Sequence, residues 1–147
     1  MTPEETGALA RRCVELLGSR QLAALFDLLH EDASWSIPFD KDSFPFAGTW
    51  GKEDMRAVLT SFQAHFDTFE IAVTKVVAQP GSAAVEAVGR GEGPGKARYK
   101  NVFHFAIECD DGRIRRIREY FNPIEVSAYV QQLGAASDAL EQATAGN

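Results

Sequence analysis

The strongest constraint on the fold is the segment 99–122, in which apolar and polar residues alternate on both sides of an Asp111-Gly112 turn. This pattern predicts two antiparallel strands, because strand side chains point alternately to opposite faces of a sheet. In the second strand, Ile117, Glu119 and Phe121 share one face. In the first strand, the odd-numbered positions form the corresponding face: Tyr99, Asn101, Phe103, Phe105, Ile107 and Cys109.

Glu119 is the candidate catalytic residue. A carboxylate between Ile117 and Phe121 is desolvated, and desolvation raises its pKa. A Glu with a reference pKa of about 4.3 needs a value of about 6 to 7 to exchange protons well near neutral pH. The alternative is a structural ion pair between Glu119 and a neighbouring arginine such as Arg98 or Arg115.

Length and composition restrict the classes of function. We expect the 147 residues to form a single domain, with an Ala-, Ser- and Gln-rich tail beyond about residue 134 that frays or is disordered. The formal net charge of −6 disfavours nucleic acid as a partner, because phosphate binding needs a basic surface. No apolar run approaches the roughly 20 residues of a membrane span. Together with an N-terminus that lacks a signal pattern, these features predict a cytoplasmic protein without membrane partners.

The sequence predicts neither a metal site nor a cofactor. The three histidines, His30, His65 and His104, do not have metal-ligand spacing with Asp or Glu. Cys13 and Cys109 have no metal or redox spacing. The glycine-rich segment 91–95 does not open a helix, so it is read as a hairpin connection rather than a phosphate-binding loop.

The remaining elements predict an α+β fold. Helical spacing of apolar residues predicts helices over residues 3–17, 20–29 and 52–66, and a short one around 126–133. Alternation and turn residues predict further strands over residues 33–39, 69–79 and 83–90. The resulting order, with four strands in series after the third helix, is typical of a curved antiparallel sheet with helices on one face. The aromatic loop 40–50 either folds onto the core or covers a pocket.

A cavity for a small hydrophobic molecule is expected between this sheet and the third helix. Tyr99 and Asn101 are expected either to donate hydrogen bonds to a substrate carbonyl or to satisfy backbone groups. The predicted substrate-binding residues are Trp35, Ile37, Phe39, Trp50, Val58, Phe62, Tyr99, Asn101, Phe103 and Phe121.

The chain resembles the NTF2-like superfamily, whose fold is a cone-shaped α+β roll, within its SnoaL-like and ketosteroid-isomerase-like branch. The nearest pattern is that of phenazine-biosynthesis A/B-type proteins. The resemblance is carried by Phe46-Ala-Gly-Thr-Trp-Gly51, Tyr99-Lys-Asn-Val-Phe103, Asp111-Gly-Arg-Ile114 and Arg118-Glu-Tyr-Phe-Asn-Pro123. It implies a curved sheet wrapped around a long helix, an acid/base role for Glu119, and a dimer. The helix-three histidine of the phenazine proteins falls on Val58, and a nearby polar partner falls on Phe62, which makes the pocket more apolar.

Two functions follow from these features. The first is a cofactor-free acid/base enzyme of isomerase, cyclase or dehydratase type, acting on a small hydrophobic carbonyl-bearing molecule in secondary metabolism. The second is a non-catalytic small-molecule-binding or accessory domain. In either case we expect a homodimer through the outer face of the sheet, which carries Val102, His104, Ala106 and Tyr120.

Overall fold

The computed structural model describes the backbone of residues 1–145, with side chains described through residue 135 and at residue 142. This part of the chain contains four α-helices: α1 (Pro3–Gly18), α2 (Leu22–Asp27), α3 (Lys52–Gln63) and α4 (Pro123–Ala145). Its six strands are β1 (Leu29–Ile37), β2 (Gly48–Gly51), β3 (Thr68–Gln79), β4 (Ser82–Gly93), β5 (Ala97–Asp110) and β6 (Arg113–Phe121). The predicted α+β class is confirmed.

The six strands form one sheet in the order β2-β1-β6-β5-β4-β3. The predicted meander of four strands in series, β3 to β6, is present and antiparallel throughout. β1 joins β6 in parallel, with Trp35 opposite Ile117. This parallel pairing places the side chains of β1 beside those of the strand that carries Glu119.

Several boundaries differ from the prediction: β1 spans Leu29–Ile37 instead of 33–39, and α3 ends at Gln63 instead of at residue 66. Residues 48–50, predicted as part of the loop 40–50, belong to β2, because their backbone pairs with the end of β1 and sets Trp50 opposite Trp35. The second helix is shorter than predicted and begins only at Leu22, because Arg20 takes a left-handed conformation (φ 60°) that breaks the helix. The guanidinium of Arg20 instead donates a hydrogen bond of 2.8 Å to the carbonyl of Phe66.

The core lies between the helices and the inner face of the sheet. Along β5, every odd-numbered side chain from Ala97 to Cys109 is buried, as the alternation predicted. Ile117 and Glu119 are buried on β6, beside this face. The helices therefore cover the face that contains the candidate catalytic carboxylate.

The C-terminal helix α4 extends over Pro123–Ala145, well beyond the predicted 126–133. Expected fraying beyond Gly134 stays a prediction, because most side chains there, and residues 146 and 147, lie outside the described residues. Within residues 1–145, no helix is both long enough and apolar enough to cross a membrane.

Candidate functional site

A cavity of about 220 Å³ lies between α3 and the inner face of the sheet. Its wall is mostly aliphatic and aromatic, with few polar side chains. The lining residues are Leu17, Ile37, Phe44, Phe46, Met55, Val58, Leu59, Ser61, Phe62, Gln63, His65, Phe69, Ile71, Tyr99, Phe103, Glu119, Phe121, Val126 and Val130. A cavity of this size and character suits a small apolar molecule.

The structure brings many of the predicted site residues together in this wall. They come from β1, α3, β5 and β6, and they are Ile37, Val58, Phe62, Tyr99, Phe103, Glu119 and Phe121. The aromatic loop contributes in both of the ways considered from the sequence. Phe44 is buried against Phe121, with ring centroids 5.2 Å apart, whereas Phe46 is 47% exposed at the rim.

Glu119 is the one carboxylate among the described lining residues, and it is 7% exposed. Burial raises its pKa from the usual 4.5 to about 7. The indole Nε1 of Trp35 donates a hydrogen bond of 3.0 Å to Glu119 Oε1, which opposes part of that rise. The alternative of an ion pair with Arg115 is wrong, because that guanidinium pairs with Asp110 and Asp32 on the exposed end of the sheet. Arg98, the other arginine considered, is exposed and outside the cavity wall.

Asn101 is buried but does not line the cavity. Its Nδ2 donates to the Tyr99 hydroxyl (2.9 Å) and to the carbonyl of Asn122 (3.1 Å). Its Oδ1 accepts from the backbone N–H groups of Val102 and Asn122, both at 2.9 Å. These four bonds use the full capacity of the amide, so Asn101 satisfies local groups instead of donating to a substrate.

Tyr99 differs from Asn101 because it lines the cavity. Its hydroxyl oxygen accepts from Asn101, and among the described residues no group accepts its hydroxyl hydrogen. Burial raises the pKa of this phenol well above its usual value, and the charge of Glu119 adds to the rise. Tyr99 is therefore a neutral hydrogen-bond donor whose pKa depends in part on the charge of Glu119.

Three further aromatic residues predicted to bind substrate lie outside the cavity wall. Trp35 is 1% exposed, and its role is indirect because its indole contacts Glu119. Phe39 follows the end of β1 and packs edge-on against Phe121, at 5.2 Å. Trp50 is held on β2 by a 2.9 Å hydrogen bond from its Nε1 to the Phe46 carbonyl. Of the three aromatic or aliphatic residues predicted on one face of the strand 33–39, only Ile37 lines the cavity.

Gln63 is a cavity residue that the sequence reasoning missed. It is 5% exposed, and its Nε2 donates 2.9 Å to the carbonyl of Leu17. Its Oε1 is buried and has no hydrogen-bond partner. The signal was present in the sequence, because Gln63 lies four residues after Leu59 and eight after Met55, on the buried face of α3.

The remaining polar lining residues, Ser61 and His65, are exposed at the mouth of the cavity. Among the residues that the structure describes, no three His, Cys, Asp or Glu side chains are grouped as metal ligands. His30 lies on β1 and contacts Asp110 Oδ1 through Nε2 at 2.8 Å.

The comparison with protein families agrees with the observed fold. The model of the SnoaL-like domain matches residues 10–117, so the chain belongs to the SnoaL-like domain family. The resemblance to this branch of the NTF2-like superfamily is therefore confirmed, whereas the likeness to phenazine-biosynthesis proteins stays a prediction. No curated protein matches the sequence.

Solved structures with NTF2-like folds resemble this chain over most of its length. An NTF2-like protein from Anabaena variabilis ATCC 29413 is 24% identical, with a TM-score of 0.67, and the match covers 80% of this chain and 90% of that one. An epoxide hydrolase of LEH-like type from M. tuberculosis is 18% identical, with a TM-score of 0.67, covering 90% and 95%. A ketosteroid isomerase-like protein from Kribbella flavida DSM 17836 is 25% identical, with a TM-score of 0.60, covering 82% and 79%. These likenesses establish the fold, and function has to be argued from the site.

Proposed function

We propose that the protein is a cofactor-free acid/base enzyme, of isomerase, cyclase or dehydratase type, acting on a small hydrophobic carbonyl-bearing molecule in secondary metabolism. The observation that carries the proposal is the position of Glu119, a buried carboxyl group in an apolar wall whose pKa lies at about 7. Such a group is substantially populated in both protonation states near neutral pH, which is what proton transfer in both directions requires. The names of two structural neighbours, an epoxide hydrolase and a ketosteroid isomerase-like protein, are consistent with this class.

In the proposed isomerisation, the Glu119 carboxylate removes a proton from the carbon next to the substrate carbonyl. The C–H electron pair becomes the carbon–carbon π bond of an enolate, and the carbonyl oxygen takes the negative charge. The free hydroxyl hydrogen of Tyr99 donates to that oxygen. In a substrate with a carbon–carbon double bond at the β,γ-position, the protonated Glu119 then returns the proton to the γ-carbon. The carbonyl is restored, the double bond moves to the α,β-position, and no oxidant, reductant or water is consumed. Apolar side chains such as Phe103 hold the carbon skeleton and exclude water.

The experiment is hydrogen exchange on 2-tetralone, a small apolar ketone with acidic α-protons. In D₂O, NMR follows the loss of the α-proton signals with wild-type protein, with Glu119→Gln, and with the control Glu86→Gln. Glu86 is an exposed carboxylate on the outer face of the sheet. We expect Glu119→Gln to lower the protein-catalysed exchange rate by roughly 100-fold or more, and the control to match wild type. Equal rates for wild type and Glu119→Gln would contradict the proposal, as would a wild type that does not accelerate exchange.

A non-catalytic small-molecule-binding domain is the second candidate. The scarcity of polar groups in the cavity favours this function. Val58 and Phe62 are apolar, and the hydrogen-bonding groups of Asn101 are all used by the protein itself. Glu119 would then only orient a ligand. Binding of 2-tetralone without accelerated exchange would favour this function.

We further propose that the protein is a cytoplasmic homodimer. Both cysteines, Cys13 and Cys109, are free and buried, as suits a reducing compartment. The outer face of the sheet exposes Val102 (63%) and Tyr120 (39%), and the Tyr120 ring meets that of His104 at 6.1 Å. A second copy of the chain would cover this mixed apolar and polar face.

A further inference from the structure

Gln63 combines two features that are rarely found together in a folded protein. Its side chain is 5% exposed, and its carbonyl oxygen, Oε1, has no hydrogen-bond partner. An unsatisfied buried acceptor is costly, and most native structures contain few of them. Because Gln63 also lines the cavity, the missing donor can come from a molecule bound there.

The orientation of the amide is determined by its other end. Nε2 donates to the carbonyl of Leu17 at 2.9 Å, and a flipped amide would set two acceptors against each other. Oε1 therefore needs a donor from elsewhere. Leu59 and Met55, which lie about one and two turns before Gln63 on the buried face of α3, carry no hydrogen-bond donor.

We infer that Gln63 is a specificity-determining residue, which selects apolar ligands that carry a neutral hydroxyl or N–H group. The inference rests on the proposed role of the cavity as a small-molecule site and makes the ligand more specific: an apolar skeleton with a carbonyl for Tyr99, an adjacent C–H for Glu119, and a separate donor for Gln63. A neutral donor fits better than an ammonium group, because the wall beside Gln63 is apolar and would not offset the desolvation free energy of a charge.

Two probes of the same shape isolate this contact: p-cresol and p-xylene, which differ by one hydroxyl in place of a methyl group. Dissociation constants are measured by ¹H–¹⁵N NMR titration for wild type, Gln63→Met and the control Leu59→Met. The Gln63→Met variant keeps the side-chain length and removes the acceptor. The Leu17 carbonyl still accepts a hydrogen bond from the backbone N–H of Arg20 at 3.3 Å, so the variant does not leave this carbonyl without a donor. Leu59 lines the same wall, and its replacement by Met changes the shape of the wall without changing its polarity.

We expect Gln63→Met to weaken the binding of p-cresol relative to p-xylene by roughly three- to tenfold, the range of one neutral hydrogen bond. Leu59→Met should change the two affinities by the same factor. In wild type, p-cresol should also shift the side-chain amide resonances of Gln63 more than p-xylene does. Equal weakening of both probes in Gln63→Met would overturn the inference, and so would failure of wild type to bind p-cresol.

Failure of this inference is distinguishable from failure of the proposed enzymatic function. The hydroxyl preference is a binding property, so it should persist in Glu119→Gln, in which hydrogen exchange on 2-tetralone is lost. A preserved preference without any exchange in wild type would leave the selectivity of Gln63 in place and remove the catalytic role of Glu119. Hydrogen exchange in wild type without a preference for p-cresol would leave the catalytic role of Glu119 in place and remove the selectivity of Gln63.

Discussion

The indole of Trp35 and the carboxyl group of Glu119 meet at 3.0 Å across two parallel strands, although 84 positions separate them in sequence. Trp35 lies opposite Ile117, and its side chain reaches along the sheet to the residue two positions further on. The contact gives a buried carboxylate one donor. It limits the rise in the pKa of Glu119 that burial causes, and so it sets the pH range in which this group can exchange a proton.

Replacing Trp35 with Phe should therefore raise the pKa of Glu119 above the value of about 7 in wild type. The reason is that the ionised carboxylate loses its hydrogen bond while its desolvation stays. Titration of the Glu119 carboxyl carbon by NMR measures the change. The matched control is Trp50→Phe, which removes an indole donor that contacts the Phe46 carbonyl instead. A lower pKa of Glu119 in Trp35→Phe would contradict the assignment.

The raised pKa of Glu119 should make wild-type stability fall with rising pH. Its pKa is 4.5 in the unfolded chain and about 7 in the folded protein, so the folded state binds more protons between these values. Between pH 5 and 8, wild type should lose about 2 to 3 kcal/mol of unfolding free energy relative to Glu119→Gln. Urea denaturation of both proteins at the two pH values tests this. A difference that does not change with pH would mean that the carboxyl group titrates normally.

Gly89→Ala should disturb the cavity from the inner face of the sheet, on which both Gly89 and Phe103 are buried. A Cβ at this position would lie 2.7 Å from the ring of Phe103, which lines the cavity. We expect a loss of about 1 to 3 kcal/mol in unfolding free energy, together with weaker binding of p-xylene, because the ring has to move. Gly134→Ala is the control, since its added Cβ meets no described atom within 4 Å apart from the backbone of its own helix. That variant should be as stable as wild type or slightly more stable. Unchanged stability of Gly89→Ala would show that Phe103 moves freely.

Asn101→Ala should destabilise the fold by about 1 to 3 kcal/mol, because it leaves partly buried backbone groups without partners. The amide holds the end of β6 through both the N–H and the carbonyl of Asn122. Thermal denaturation measures the loss, with the exposed neighbour Lys100→Ala as control. If Asn101 instead contacted substrate, Asn101→Ala would keep its stability and lose affinity for 2-tetralone.

Sedimentation velocity at micromolar concentration tests the proposed dimer. Val102→Lys places a charge in the middle of the exposed outer face and should shift a dimer towards monomer. Val130→Lys is a suitable control, because Val130 is also exposed but lies at the cavity on α4. A wild type that sediments as a monomer of 16.1 kDa would mean that the outer face is solvated.

Local periodicity was sufficient to predict which face of each strand is buried. A strand exposes alternate side chains whatever its partners are, so the positions of Tyr99, Phe103 and Glu119 on the inner face follow from the sequence. Helical spacing predicted Val58 and Phe62 in the cavity wall for the same reason. The aromatic, carboxylate-bearing character of the site is therefore a property of the sequence.

Only the tertiary structure decided which groups meet. The parallel register of β1 and β6 brings Trp35 to Glu119. The backbone at the end of β6 takes up hydrogen bonds of Asn101, and the approach of the end of α1 to the end of α3 gives Gln63 its one partner. Each of these contacts joins residues that are distant in sequence, and nothing in a local pattern encodes the register or the distance between two elements. The sequence thus determined the faces of the site, whereas long-range packing determined its hydrogen bonds and hence its chemistry.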